Sequence, residues 1–94
     1  MAAHELERIR NTILARRYAL TEHAYEEIDE DNLDVLDIES AILTGEIEQV
    51  LTMDPRGTRY IVVGKATDQK TPVGVVVRFV EYDRLLVITA YEIV

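Results

Sequence analysis

At 94 residues with a formal net charge of −8 and no cysteine, the chain suits one compact domain and excludes disulfides, thiol chemistry and thiolate metal sites. Its longest apolar run, Val73-Gly74-Val75-Val76-Val77, is far too short to cross a bilayer, and the opening MAAHELERIR places acids in its charged segment with no apolar region behind it. The sequence therefore predicts neither membrane association nor a secretory signal, and a cytoplasmic setting.

The charge is distributed unevenly. Residues 1–50 hold thirteen acidic and four basic side chains, a balance of −9, whereas residues 51–94 hold five and six, a balance of +1. A surface built from the first half repels nucleic acid and anionic membrane, while the second half is able to present local positive sites.

In chain order, Leu6, Ile9, Ile13 and Leu14 recur at helical spacing and predict an amphipathic helix over residues 3–16. Thr21 predicts the cap of a second helix, with Leu20 packing on Tyr25 as a staple; Ala24, Tyr25 and Ile28 form its apolar side, and His23, Glu26 and Glu30 project from the other. Asp34 and Asp37 have the spacing of a capping box for a third helix, whose stripe is Val35, Ile38, Ala41 and Ile42, broadened by Leu36 and Leu43. Gly45 is expected to end that helix in a left-handed conformation.

Beyond Gly45 the apolar period shortens and β-branched residues accumulate, predicting strands at about 46–53, 58–66, 72–80 and 84–91. Asp54-Pro55-Arg56-Gly57, the segment 67–70 and the segment 81–84 supply short reversals, which favour an antiparallel meander. Ile61, Val63, Val76, Leu86 and Ile88 make one alternating set able to pack against the helices, and a period of two alone leaves the choice of face open. The expected fold class is α+β: two or three N-terminal helices packed on a four-stranded, mostly antiparallel sheet, in a single domain over residues 1–94.

Thr21, His23 and Ala24 open a helix, Asp37-Ile38-Glu39-Ser40-Ala41-Ile42-Leu43-Thr44-Gly45-Glu46 leads into the strands, and Val87-Ile88-Thr89-Ala90-Tyr91 closes them. In that order these segments resemble the domain of unknown function 4258 family of bacteria, over residues 18–92, which leaves residues 1–17 as a variable N-terminal helix. The family is similar to small toxins of the RelE and ParE type, so the resemblance implies two helices on an antiparallel sheet. Members often carry proline-apolar-histidine in the third strand, where this chain has Pro72-Val73-Gly74.

Metal-independent RNA cleavage needs a proton-transfer group, a cation at the phosphate and a hydrogen-bonding group at the oxygens that change charge. His23, Arg59 and Tyr91 are the candidates, with Arg78 as a second phosphate contact and Glu46 as an orienting carboxylate. Tyr60, Tyr82 and Tyr91 are candidates for stacking on bases, and Arg56, Lys65, Lys70 and Arg84 extend the basic set. No cofactor fingerprint and no metal-ligand spacing occurs, His4 included. The same residues serve solubility and ion pairing equally well, and the set lacks the histidine at Gly74. A protein-interaction domain therefore asks least of the sequence, either binding a basic partner through its acidic helical half or forming a homo-oligomer through an exposed terminal strand beginning near Leu85. The alternative is a metal-independent endoribonuclease or RNA-binding protein.

Overall fold

A computed structural model describes residues 2–81 and 83–94. The chain runs through α1 (Ala2–Leu14), β1 (Tyr18–Leu20), α2 (Glu22–Glu30), α3 (Val35–Thr44), β2 (Glu46–Leu51), β3 (Arg59–Lys65), β4 (Pro72–Val80) and β5 (Arg84–Glu92). Among the described residues this is a mixed α+β fold with three helices and a five-stranded sheet in the order β1-β5-β4-β3-β2. β2 to β5 form the expected antiparallel meander. The expected four strands become five because Tyr18, Ala19 and Leu20 pair in parallel with Leu85, Leu86 and Val87. Three residues are too few to display a period of two, and the bonds that hold β1 in place come from far along the chain: Leu85 N–H donates to the Arg17 carbonyl (2.9 Å), and Thr21 N–H to that of Val87 (3.0 Å).

The caps are those the sequence specifies. The Thr21 hydroxyl accepts from Ala24 N–H (3.0 Å) and donates to the Ile88 carbonyl (2.7 Å), so one side chain starts α2 and ties it to β5. Asp34 accepts from the amides of Leu36 and Asp37, and Asp37 accepts from Asp34 N–H (3.0 Å), which completes the capping box. The other oxygen of Asp37 receives both the amide (2.9 Å) and the hydroxyl (2.8 Å) of Thr67, fastening α3 to the turn after β3.

Several local expectations are corrected. Tyr25 is 54% exposed and does not belong to the buried side of α2, which is Ala24 and Ile28, while Leu20 packs on the core. Leu14, Leu36 and Leu43 are exposed, because one stripe of α1 and one of α3 already fill the space against the sheet. Gly45 is extended (φ −97°, ψ −172°), not left-handed. Its glycine is required by a close approach: a Cβ there would lie 2.4 Å from the Val63 carbonyl oxygen and 2.5 Å from that of Ala41. Gly64 meets the same Ala41 oxygen, which would lie 1.9 Å from any Cβ at that position, so α3 rests directly on the backbone of β3.

All three helices bury the same side of the sheet. The fully buried residues there are Val62, Val75, Val77, Leu85 and Val87, packed against Ile9, Ile38 and Ile42. The choice of face that the sequence leaves open falls against Ile61, Val63, Val76, Leu86 and Ile88, since Ile61 pairs with Val76 and Val63 with Gly74 on the opposite side. β4 is apolar on both faces, so alternation alone does not distinguish them. α1 contributes Leu6, Ile9 and Ile13 to the core, and its Arg10 guanidinium donates to the carbonyls of Ile42 (3.1 Å) and Gly45 (2.6 Å). A cation at those free carbonyls satisfies the C-terminus of α3 and opposes its dipole.

Ile42→Ala is expected to cost about 2–5 kcal/mol in equilibrium urea unfolding. Gly64→Ala, which forces a methyl group against the Ala41 carbonyl, is expected to cost about 1–3 kcal/mol or more. A Gly64→Ala protein as stable as the parent would show that α3 does not rest on β3 in this way.

Candidate functional site

The uncovered face of the sheet is built by side chains that alternate with the buried ones. Cross-strand pairing arranges it in rows. One row runs Leu51, Arg59, Arg78, Leu86 and Ala19 across all five strands. Another runs Glu46, Val63, Gly74 and Tyr91. Ile61, Val76 and Thr89 lie between them, with Ile88 the extra residue of a bulge in β5. Ile61, Val63, Leu86 and Ile88 are half-buried by their neighbours, and no helix covers them.

At the β2–β3 end, the Asp54 turn gathers the arginines. The Asp54 side chain is 7% exposed; one oxygen accepts from Arg56 N–H (2.9 Å) and Arg56 Nε (3.3 Å), the other from Arg59 Nε (2.7 Å). Hydrogen bonds from the Arg56 amide and the Arg59 guanidinium hold its carboxyl well below the usual carboxylate range. Arg78 lies directly opposite Arg59, and its Nη1 donates to the Arg56 carbonyl (3.4 Å), while its buried Nε has no acceptor among the described residues. A buried donor without an acceptor is an energetic liability that a bound anionic or carbonyl group would relieve. Arg56 and Arg59 keep further donors beyond those used on Asp54.

At the other row, the Tyr91 ring lies across Gly74. A Cβ at residue 74 would come within 2.7 Å of the Tyr91 ring, so the aromatic group fills the space that a larger side chain at this position of β4 would take. Glu46 lies at the far end of the same row and is exposed. His23 is exposed in the first turn of α2, one turn before Glu27 and two before Asp31. Glu27 accepts from the Thr89 hydroxyl (2.8 Å) and Asp31 from Glu92 N–H (2.8 Å), which sets that stripe of α2 alongside β5.

Arg59, Arg78, Tyr91 and Glu46 thus share one face, but in two rows. Four residues of strand separate Arg59 from Val63, about 13 Å, and two strand spacings, about 10 Å, separate β3 from β5. The arginine pair and Tyr91 therefore suit different parts of an elongated ligand. Tyr60, by contrast, faces the core, in edge contact with Phe79 at 6.5 Å between centroids, so it offers no stacking surface. Tyr82 lies outside the described residues. Among the described residues no His, Asp and Glu side chains are grouped as a metal ion requires.

A family profile described as Domain of unknown function (DUF4258) matches residues 20–92. The chain belongs to this family. No curated protein and no solved structure matches it. The DUF4258 span contains both rows of the uncovered face except Ala19, whereas α1 and most of β1 precede it. α1 nonetheless supplies core side chains and the Arg10 contacts, so in this DUF4258 chain it is part of the packed structure.

Two features of the site go beyond the sequence reading. Asp54 is more than a turn residue, and a carboxylate five positions before Arg59, across a proline turn, is the signal for the ion pair. The pairing edge expected near Leu85 is corrected, because β5 is internal, with Leu85 fully buried and bonded to both β1 and β4. The unpaired edge of a full-length strand belongs to β2.

Three carboxyls are held low. Asp68 is lowered to about 2 by the Thr71 hydroxyl and the amides of Thr71 and Lys70. For Asp37, burial pushes upward, but the hydrogen bonds from Thr67 and Asp34 outweigh it. Asp54 shifts in the same direction. A folded pKa below the unfolded one means the unfolded state binds more protons, so the stability is present above about pH 4 and lost as the pH falls towards 2. Urea midpoints should hold between pH 5 and 7 and drop below about pH 4, and Asp54→Asn should flatten that drop; an acid-insensitive midpoint would contradict the assigned hydrogen bonds.

Proposed function

We propose that this protein is a small interaction domain that binds an extended segment of a partner chain across the uncovered face of its sheet. The observation that carries the reading is that all three helices lie on the other face, which leaves apolar side chains on this one beside paired arginines. Ile61, Val63, Val76 and Leu86 form the floor, and Arg59 and Arg78 anchor an acidic side chain or main-chain carbonyl of the partner at one end. A basic partner is drawn instead to the acidic helical surface, where Glu22, Glu26, Asp29 and Glu30 are exposed, and its affinity weakens as salt rises.

The second reading is RNA binding with metal-independent cleavage. It draws on the RelE- and ParE-type resemblance and on Arg59, Arg78 and Tyr91 sharing a face, with His23 as the proton-transfer group and Glu46 in support. The two-row spacing favours a strand-like ligand in either case.

Methyl NMR of the labelled protein separates these readings, using alternating Leu-Glu and Leu-Lys peptides and a mixed RNA oligonucleotide in chelator. The interaction reading expects the Leu-Glu peptide to shift Ile61, Val76 and Leu86, and Arg78→Ala to weaken it about tenfold. Shifts on α2 with the Leu-Lys peptide would select the basic partner, and RNA cleavage lost in a folded His23→Ala protein would select the nuclease. No perturbation of the uncovered face by any of the three would sink the proposal.

A further inference from the structure

We propose that two copies of the chain associate by antiparallel pairing of residues 50–54, the outer edge where β2 runs into the Asp54 turn, about a two-fold axis at Thr52. The sheet has two outer strands. β1 is only three residues long and runs straight into α2, which leaves little edge to pair. β2 is twice that length, and its two halves differ. The first half carries exposed Glu46 and Glu48 and a bulge between Ile47 and Gln49, devices that keep strand edges apart. The second half carries neither. Val50 is 48%, Leu51 41% and Met53 92% exposed, and Thr52 and Met53 continue past the last pair with β3, Leu51 with Arg59.

The partner that fits is the same segment. A two-fold axis at Thr52 sets residue numbers that sum to about 104 opposite one another, the pairing rule of an antiparallel ladder. Leu51 then meets Met53 of the second copy, both on the uncovered side of the sheet by alternation. Beyond each end of that ladder, the bulge residue Glu48 of one copy and Arg56 in the Asp54 turn of the other bring long side chains of opposite charge to the same end, and each contact occurs twice. Both charged groups are exposed, and the Arg56 guanidinium bonds Asp54 through Nε, which leaves its two Nη groups for a carboxylate. The overall charge of −8 does not prevent the approach, because the six carboxylates of residues 22–31 lie along β5, three strands away from β2. The ladder is short, so the association belongs to the weak class, with a dissociation constant on the order of 10–100 μM. The pairing edge goes beyond the docking reading and borders the docking face at Leu51 and Arg56, whereas Arg78, which would hold a ligand, lies two strands in from the edge.

Light scattering coupled to size-exclusion chromatography on the full chain, loaded at about 1–500 μM, tests the pairing. The expected mass rises from one copy to two across that range. Thr52→Pro, at an exposed position outside the β3 ladder, and Met53→Glu should each weaken association by about tenfold. Glu48→Arg and Arg56→Glu should each do so alone, since each sets like charges opposite one another. An equimolar mixture of those two variants restores both opposite-charge contacts and should associate at least as tightly as the parent. A single-copy mass throughout, a dimer untouched by both Thr52→Pro and Met53→Glu, or a mixture no tighter than its separate components would each overturn the proposal.

Discussion

The Ala41 carbonyl oxygen sits against two glycines, Gly45 and Gly64, at distances no Cβ would permit, and this contact sets the separation of α3 from β3. Ser40 and Thr44 hold the same junction from the side through the Lys65 carbonyl and amide, and Asp37 holds its far end through Thr67. With α3 fixed on the backbone of β3, α1 docks against α3, β5 and β2, and Arg10 reaches the carbonyls that α3 leaves free. α2 is fastened at the other side of the sheet by Thr21, Glu27 and Asp31. The α1 and α3 ties lie on one face of the sheet and the α2 ties run along β5, and the uncovered sheet face follows from them.

That asymmetry also separates charge. The six acids of residues 22–31 run along β5, while Arg56, Arg59 and Arg78 meet at the turn between β2 and β3. Asp54 neutralises part of this positive charge and fixes two guanidinium groups, so an approaching group finds donors that are already ordered. Preorganised donors reduce the entropy lost on binding. Tyr91 lies two strands away from Arg59 and one row further on, packed over Gly74, where it replaces bulk rather than adding a second functional group beside it.

How much of this was legible in the sequence depends on the range of the interaction. Thr21, Asp34 and Asp37 cap their helices through bonds spanning two or three residues, and a motif records such bonds directly. The strand limits were legible for the same reason, since turn residues and β-branched runs are local. β1 was not, because its three residues are held by Leu85 and Val87. The inward face of the sheet was not, because Val73, Val75, Val76 and Val77 are all buried on one β4 strand and leave no polar side to mark the outside. Gly45 escapes a one-dimensional reading because a helix-ending glycine and a closely approached glycine look alike there. For the site, the residue types were legible, whereas the division of Arg59 and Tyr91 between two rows depends on strand register.

Solvent paramagnetic relaxation of methyl groups, measured with an inert soluble probe, addresses the one-sided architecture directly. Along β3, one-sided packing predicts strong enhancement at Ile61 and Val63 and almost none at Val62, with Leu86 enhanced and Val87 protected in the same way on β5. Equal protection of Ile61, Val63 and Leu86 would mean that a second layer covers this face, and the one-sided architecture would be wrong.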